Sequence, residues 1–315
     1  MAAAEKAEWV WLDGRFVPWA EATIHVATEA VIRAASVFEG VRAYGNADQE
    51  ELYVFRLSEH LRRLRRSARL MHMAVEYSDE ALTAAFRELI RRNGFRDDVH
   101  FRPTVYFGEG ESGASYLPEE IRTGMFCIAV RRPHTKALTE GVHAGTSTWR
   151  RNADDAMPSR IKAAGNYHNS RLAHVEARRN GYGAALMLNG EGKVAEGPAA
   201  CFMMVRDGRV VTPPVTADIL ESITRETLIA LLRAELGLEV QERDIDRSEV
   251  YAAEEAFFCG SGAEVTPVVS LDRYPLGDGA PGPLTRRIQR LYFDVAEGRI
   301  ERYRHWLTPV YRANA

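Results

Sequence analysis

The spacing of apolar residues in the N-terminal part of the chain predicts short strands and amphipathic helices. Two apolar runs, Trp9–Leu12 and Arg15–Val17, flank Asp13-Gly14, a pair that tolerates the positive φ angles of a tight turn, so a β-hairpin is expected. A helix with one apolar face is predicted where apolar residues recur at helical spacing, at Leu57, Leu61, Leu64, Ala68 and Met71. The other elements predicted here are strands at 52–55, 101–107 and 125–130 and a helix at 79–92.

Strands and helices are also mixed in the C-terminal part, without a regular βα alternation. The elements predicted there are strands at 143–149, 184–188, 201–205 and 209–211 and helices at 169–179, 224–236 and 284–296. A polar stretch broken by Pro133 separates the two parts, and we place a domain boundary there. We therefore predict an α+β fold with two α+β domains, one at 1–131 and one at 142–315, joined by an interdomain loop at 132–141.

The composition is that of a globular chain with no general affinity for polyanions. The 315 residues are 46% hydrophobic and 27% charged, and the net charge of −3 gives no reason to expect nucleic acid or an anionic membrane as partner. Glu5 and Glu8 interrupt the start where a signal peptide would be apolar, and no run reaches the roughly 20 apolar residues that cross a bilayer. Cys127, Cys201 and Cys259 lie far apart, and no metal-ligand spacing is present. We expect a reduced, cytoplasmic setting and no bound metal.

Two motifs resemble nucleotide or nucleic-acid sites, but their contexts favour simpler interpretations. Gly108–Gly113 matches the G-x-G-x-x-G of dinucleotide sites, yet Glu109 and Glu111 would repel phosphates, and Pro118 follows where such a site needs a helix. A nucleotide-dependent oxidoreductase is therefore disfavoured. The arginine-rich stretch Arg62–Arg69 is interpreted as the polar flank of the predicted helix, with one of its arginines able to point into a cleft.

Lysine is rare in this chain, and the positions of its lysines are informative. They occur at 6, 136, 162 and 193, and arginine cannot replace lysine in Schiff-base chemistry because its guanidinium stays protonated. Lys162 is followed by small residues that let other groups come close. Three further segments could hold an acid or an anion, although each alone is more often an ordinary turn or helix cap: Val194–Pro198, Glu221–Glu226 and Cys259–Pro267.

Taken together, these segments resemble the branched-chain amino acid aminotransferases, which are fold-type IV (class IV) pyridoxal-phosphate enzymes. The resemblance extends from about residue 8 to about residue 296. It rests on seven segments that occur in the family's order: Ser36–Arg42, His60-x-x-Arg63, Arg102-Pro103, Lys162–Tyr167, Glu196-Gly197, Glu221–Arg225 and Gly260–Pro267. The resemblance implies a two-domain fold with a small N-terminal α/β domain and a larger cofactor-binding domain that has a mixed, barrel-like β core.

The resemblance also implies a role for individual residues. Lys162 would carry pyridoxal 5'-phosphate as a Schiff base and move a proton between substrate and cofactor. Glu196 would pair with the protonated pyridine nitrogen, and Tyr167 would hydrogen-bond the cofactor's phenolic oxygen. The phosphate would be held by Arg63, Ile223, Thr224, Ser261 and Gly262. The substrate would be bound by Arg33, Phe38, His100, Arg102 and Ala263.

The chain departs from the family pattern at Arg33 and His100, where tyrosines are usual, and at Cys201, where asparagine is common. We hypothesise that Arg33 binds a carboxylate or pairs with an acidic side chain, and that the range of amino donors is shifted. The function implied is transamination of L-leucine, L-isoleucine and L-valine with 2-oxoglutarate by a homodimer. The alternatives are a D-amino acid or (R)-amine transaminase, a lyase that releases 4-aminobenzoate, and a binding protein without catalytic activity.

Overall fold

The computed structural model describes residues 7–110, 117 and 120–312, which form two compact units. Unit 1 comprises the described residues within Met1–Pro133, Ile161–Gly165 and Asp294–Ala315. Unit 2 comprises His134–Arg160 and Asn166–Phe293. The units are discontinuous along the chain, whereas the sequence predicted consecutive domains at 1–131 and 142–315. The predicted domain bounds stay a prediction.

The secondary structure alternates irregularly between strands and helices. The strands are β1 (Trp9–Leu12), β2 (Arg15–Pro18), β3 (Ser36–Phe38), β4 (Val41–Asn46), β5 (Glu51–Phe55), β6 (Val99–Gly110), β7 (Ile121–Arg131), β8 (Val142–Thr146), β9 (Ala184–Leu186), β10 (Glu196–Gly197), β11 (Ala200–Arg206), β12 (Arg209–Thr212), β13 (Val240–Glu242), β14 (Glu255–Gly260), β15 (Glu264–Leu271), β16 (Tyr274–Pro275) and β17 (Leu307–Pro309). The helices are α1 (Glu29–Ile32), α2 (Leu57–Leu70), α3 (Asp79–Arg92), α4 (Ala137–Glu140), α5 (Asn166–Arg179), α6 (Ile223–Leu236), α7 (Arg247–Val250) and α8 (Pro283–Ala296). Short 3-10 helices occur at Trp19–Glu21, Ala47–Gln49 and Glu301–Trp306.

Unit 1 is built on an antiparallel sheet with eight strands in the described part of the chain. Their order is β17-β5-β4-β6-β7-β1-β2, and β3 pairs with β6. The predicted hairpin is confirmed, because Trp9 pairs with Pro18 and both turn residues, Asp13 (φ 45°) and Gly14 (φ 83°), adopt positive φ. β17 pairs with β5, which explains why the end of the chain belongs to unit 1.

Helices α2 and α3 confirm the helical periodicity of the sequence. The apolar stripe of α2 is buried at Leu57, Leu61, Leu64 and Ala68. Ser78 caps α3, because its Oγ accepts from the Ala81 N–H at 3.2 Å. No helix among the described residues combines the length and the apolar character that would let it span a membrane.

Unit 2 is built on a mixed sheet, nine-stranded within the residues that the structure describes. Its path is β13-β12-β11-β14-β15-β8-β9, with β10 beside β11 and β16 beside β15. The hairpin formed by β11 and β12 is confirmed, and α6 packs on β14. Helix α5 begins at Asn166 rather than at 169. The side-chain Nδ2 of Asn166 donates to Pro158 O at 3.0 Å and fixes the first turn. β8 ends at Thr146, before the predicted limit of 149.

Candidate active site

The backbone of Lys162 is fixed in unit 1 by bonds to β3 and α2. The Phe38 N–H donates to Lys162 O at 3.0 Å, and the Lys162 N–H donates to Ser67 Oγ at 3.1 Å. On the C-terminal side, the Ala164 N–H donates to Ser36 O at 2.9 Å. These bonds engage both peptide groups of Lys162 and hold its backbone in a single position. A residue that forms a covalent bond with a cofactor needs such a fixed backbone.

The side chain of Lys162 approaches the ring of Phe38. Its Nζ is 5.0 Å from the ring centroid, and Arg102 Cζ is 3.7 Å from the same centroid. Both distances fit a cation–π interaction. Phe38 is buried and aligned with Thr104 on β6, so strand pairing sets the position of its ring. The structure thus brings together Lys162, Phe38 and Arg102, three of the residues implied by the resemblance.

Arg63 lies on α2 and makes a bidentate ion pair with Glu39. Arg63 Nε is 2.6 Å from Glu39 Oε1, and Arg63 Nη2 is 2.7 Å from Glu39 Oε2. His60 Nδ1 is 2.7 Å from the same Oε2. Burial raises the pKa of Glu39, but the Arg63 guanidinium and His60 outweigh it and hold that pKa well below its usual range. Glu39 is therefore an anion at neutral pH.

His100 lies on β6 near several cations. Burial and the charges of Arg132, Arg42 and Arg102 lower the pKa of His100 from 6.5 to about 3. The imidazole is therefore neutral at physiological pH. A Cβ on Gly40 would lie 2.9 Å from His100 Nε2, so only glycine fits beside this ring without displacing it.

Arg33, at the end of α1, pairs with an acidic side chain. Its Nη1 is 2.5 Å from Glu29 Oε1 and 2.6 Å from Glu29 Oε2. This is the second of the two alternatives in our hypothesis. The first, binding of a substrate carboxylate, stays a prediction.

Glu196 occupies unit 2 and is buried in a polar setting. Arg151 Nη2 is 2.9 Å from Glu196 Oε1, and the Leu220 N–H is 3.4 Å from each carboxylate oxygen. Cys201 pairs with Glu196 across β10 and β11, with its Sγ 3.8 Å from Oε2. Burial raises the pKa of the Cys201 thiol well above its usual value, so the thiol beside Glu196 is uncharged.

The remaining predicted cofactor residues lie at helix and strand ends of unit 2. Ser222 caps α6 by accepting from the Arg225 N–H at 3.2 Å, so Ile223 and Thr224 form its first turn. The N-terminus of a helix favours anions. The segment 261–263 connects β14 to β15 and contains Ser261, Gly262 and Ala263, while Tyr167 lies in the first turn of α5.

The structure gives partners to residues inside the family segments and adds Arg151, which the sequence did not single out. Glu39 and His60 occur inside two of the family segments, and the three-residue spacing of His60 and Arg63 on a helix is a signal that they share one face. Arg151 had no local signal. Arg63 is the buried member of the arginine-rich stretch, while Arg62 and Arg69 are exposed, which confirms that stretch as a helix flank. Part of the glycine motif at 108–113 lies outside the described residues.

Known proteins resemble this chain along nearly its whole length. The model of the amino-transferase class IV family matches residues 36–271. A probable branched-chain-amino-acid aminotransferase of Aquifex aeolicus (strain VF5) is 40% identical, over 96% of this chain and 97% of that protein. The branched-chain amino acid aminotransferase of Thermobaculum terrenum, solved in its PLP (holo) form, superimposes with a TM-score of 0.91 at 44% identity and covers 98% of this chain and 100% of that one.

A second solved structure is of the same kind. The branched-chain aminotransferase of the thermophilic archaeon Thermoproteus uzoniensis, solved with norvaline, has a TM-score of 0.90 and 43% identity, covering 97% of this chain and 100% of that one. The fold-type IV architecture expected from the sequence is confirmed by these similarities. The chain belongs to the amino-transferase class IV family.

Proposed function

We propose that this chain is a pyridoxal-phosphate-dependent aminotransferase that moves the amino group of branched-chain L-amino acids to 2-oxoglutarate. The observation that carries the proposal is the fixed position of Lys162, a primary amine held through both neighbouring peptide groups beside an aromatic ring. The similar proteins named above are called branched-chain aminotransferases; one of them is described in its PLP form and another with norvaline, an unbranched aliphatic amino acid.

The side chains present fit the polar groups of pyridoxal phosphate. An amine, Lys162, suits its aldehyde, and a buried carboxylate, Glu196, suits its ring nitrogen. A capped helix start at Ile223-Thr224 and the buried cation Arg63 suit its phosphate. When bound, the cofactor supplies an electron sink that acidifies the substrate Cα–H bond.

Each residue has a defined task in this proposal. Lys162 would hold the cofactor through Nζ, and the same amine would take up and return the proton of the substrate Cα. Glu196 keeps the ring nitrogen protonated because an adjacent anion stabilises the cation. Tyr167 would donate to the phenolic oxygen, and Ser261, Gly262 and Ala263 would bind phosphate and carboxylate oxygens. Phe38, with Arg102 and His100, forms the surface that receives the donor.

We also propose that the protein is a cytoplasmic homodimer. Large apolar side chains are exposed within one short segment of unit 1, at Trp19, Ile24, Val26, Val31 and Ile32. Exposed apolar groups concentrated in one segment favour a protein–protein interface. We propose that a second copy of this chain binds there. The three cysteines are free and buried, which fits a reducing compartment.

The test of the proposed reaction is a donor panel. The purified protein with pyridoxal phosphate should convert leucine, isoleucine and valine with 2-oxoglutarate, and each L-donor should bleach the cofactor's visible absorbance. Higher rates with D-amino acids or (R)-amines would favour the alternative transaminases. Release of 4-aminobenzoate would favour the lyase, and absence of any bleaching would contradict the proposal.

A further inference from the structure

Glu39 is a buried carboxylate to which the proposed reaction assigns no task. Its side chain has an exposure of 0%. Its backbone is also fixed, because the Glu39 N–H donates to Pro103 O at 2.9 Å. Removing a carboxylate from water is unfavourable unless ionic and hydrogen-bond partners compensate. The partners of Glu39 in unit 1 therefore have to compensate the loss of water around its carboxylate.

Those partners define a single orientation for Arg63. Two parallel bonds connect the Nε and Nη2 edge of the guanidinium to the two oxygens of Glu39, at 2.6 and 2.7 Å. A guanidinium is planar and rigid, so fixing one edge also fixes the direction of Nη1. Without Glu39, the long arginine side chain would sample many rotamers.

His60 completes the arrangement from the preceding turn of α2. Its burial lowers its pKa, so it is neutral at neutral pH and donates its Nδ1 proton to Glu39 Oε2. Three donors therefore converge on one carboxylate. The Glu39–Arg63 pair is neutral overall, so Arg63 acts on a ligand through directed N–H groups more than through net charge.

We propose that Glu39 is a positioning residue that orients Arg63 toward the phosphate of the cofactor. The proposal rests on the function proposed above, in which Arg63 binds that phosphate. In this role Glu39 acts through the guanidinium and His60. Its effect is therefore specific for ligands that carry a phosphate.

The experiment compares two ligands that differ in one group. Dissociation constants of pyridoxal 5'-phosphate and of pyridoxal are measured for the full chain freed of cofactor. In Glu39→Gln and Glu39→Asp, the constant for the phosphorylated ligand should rise about tenfold, while that for pyridoxal changes less than about twofold. Arg63→Lys, which keeps the cation but loses the planar fork, should show the same selective loss even if both Glu39 variants fail to fold.

The matched control is Glu59→Gln. Glu59 also pairs with an arginine, since Arg56 Nη2 is 3.1 Å from its Oε1 near the start of α2. The variant removes a carboxylate from α2 and leaves the Glu39–Arg63 pair in place, so it should bind both ligands like the wild type. Equal losses for both ligands in Glu39→Gln would show a general structural role and overturn the proposal.

Arg63→Ala separates this proposal from the function on which it rests. In that background, adding Glu39→Gln should cause no further loss of affinity for pyridoxal phosphate. Loss in Arg63→Ala combined with wild-type or tighter binding in Glu39→Gln would overturn the positioning role and leave the proposed function standing. Unchanged affinity in Arg63→Ala would remove the phosphate role of Arg63 itself.

Discussion

Arg151 and Glu196 form a buried ion pair in unit 2, with 2.9 Å between Arg151 Nη2 and Glu196 Oε1. The guanidinium is held by hydroxyl groups as well, because Nη2 is 3.2 Å from Ser159 Oγ and Nη1 is 3.4 Å from Ser170 Oγ. A cation at this distance favours the ionised form of the carboxylate. These contacts hold the Glu196 carboxylate in one position, which is what our proposal requires of the anion that pairs with a protonated ring nitrogen.

Removing the negative charge of Glu196 should slow the reaction. We expect Glu196→Gln to lower kcat for leucine by about 100-fold, because a neutral amide stabilises a ring cation less well than a carboxylate does. Glu191→Gln is the matched control, since Glu191 is exposed in the turn before β10 and should keep wild-type turnover. Wild-type kcat in Glu196→Gln would contradict the role assigned to Glu196.

The Arg33–Glu29 pair predicts changes in donor preference of opposite sign. Arg33→Tyr removes the guanidinium whose Nη1 contacts both oxygens of the Glu29 carboxylate, so kcat/KM for glutamate should fall about threefold relative to leucine. Glu29→Gln leaves the cation instead and should raise the same ratio. Equal ratios in both variants and the wild type would exclude position 33 from substrate recognition.

His100 should make the folded protein sensitive to acid. Its pKa is 6.5 in the unfolded chain and about 3 in the fold, so between these values the unfolded chain binds a proton that the folded chain does not. Stability conferred by the neutral ring is complete above 6.5 and is lost as the pH falls toward 3. The loss is up to ~1.4 kcal/mol for each pH unit in that window.

Urea unfolding of the wild type and His100→Gln tests this prediction. The free energy of unfolding should decrease less in the variant between about pH 6 and about pH 4, because its side chain does not titrate. Taking the difference between the two proteins at each pH cancels the contributions of groups that both retain. Parallel curves would show that the pKa of His100 is not depressed in the fold.

A charge introduced into the exposed apolar segment around α1 should dissociate the proposed dimer. Val31 and Ile32 are 53% and 57% exposed, and a charge at such a position disfavours an interface more than it disturbs the fold. Val31→Glu should shift the mass from dimer to monomer in light scattering at micromolar concentration. Leu172→Glu is the control. It introduces the same charge at an exposed leucine on α5 in unit 2 and should keep the mass of the wild type. A dimer that persists in Val31→Glu, or a monomeric wild type, would contradict the assigned interface.

Periodicity predicted most of the elements that carry the site. The stripe of α2 and the alternating runs of β11 and β12 appear where they were expected, because burial of apolar side chains follows local spacing. The start of α5 was placed late. Its first turn depends on the bond from Asn166 to Pro158, a side-chain contact that has no periodic signal.

The partners of the site residues were not predictable from the sequence. Glu39 and Arg63 are 24 positions apart, and Arg151 and Glu196 are farther apart still. Such pairs arise from tertiary packing, which hydrophobic spacing does not encode. The resemblance to the aminotransferase family located Lys162 and Glu196. The structure then identified Glu39 and Arg151 as the charged groups that hold Arg63 and Glu196 in place.

Chemical trapping tests the central claim most directly. Borohydride reduction of the holoenzyme, followed by peptide mass mapping, should locate the cofactor mass on the peptide that contains Lys162, and Lys162→Ala should remove both the label and the visible absorbance. Lys193→Ala, in which the lysine that pairs with Asp246 at 2.8 Å is removed, should retain both. Label on any other lysine, or turnover that survives Lys162→Ala, would contradict the account.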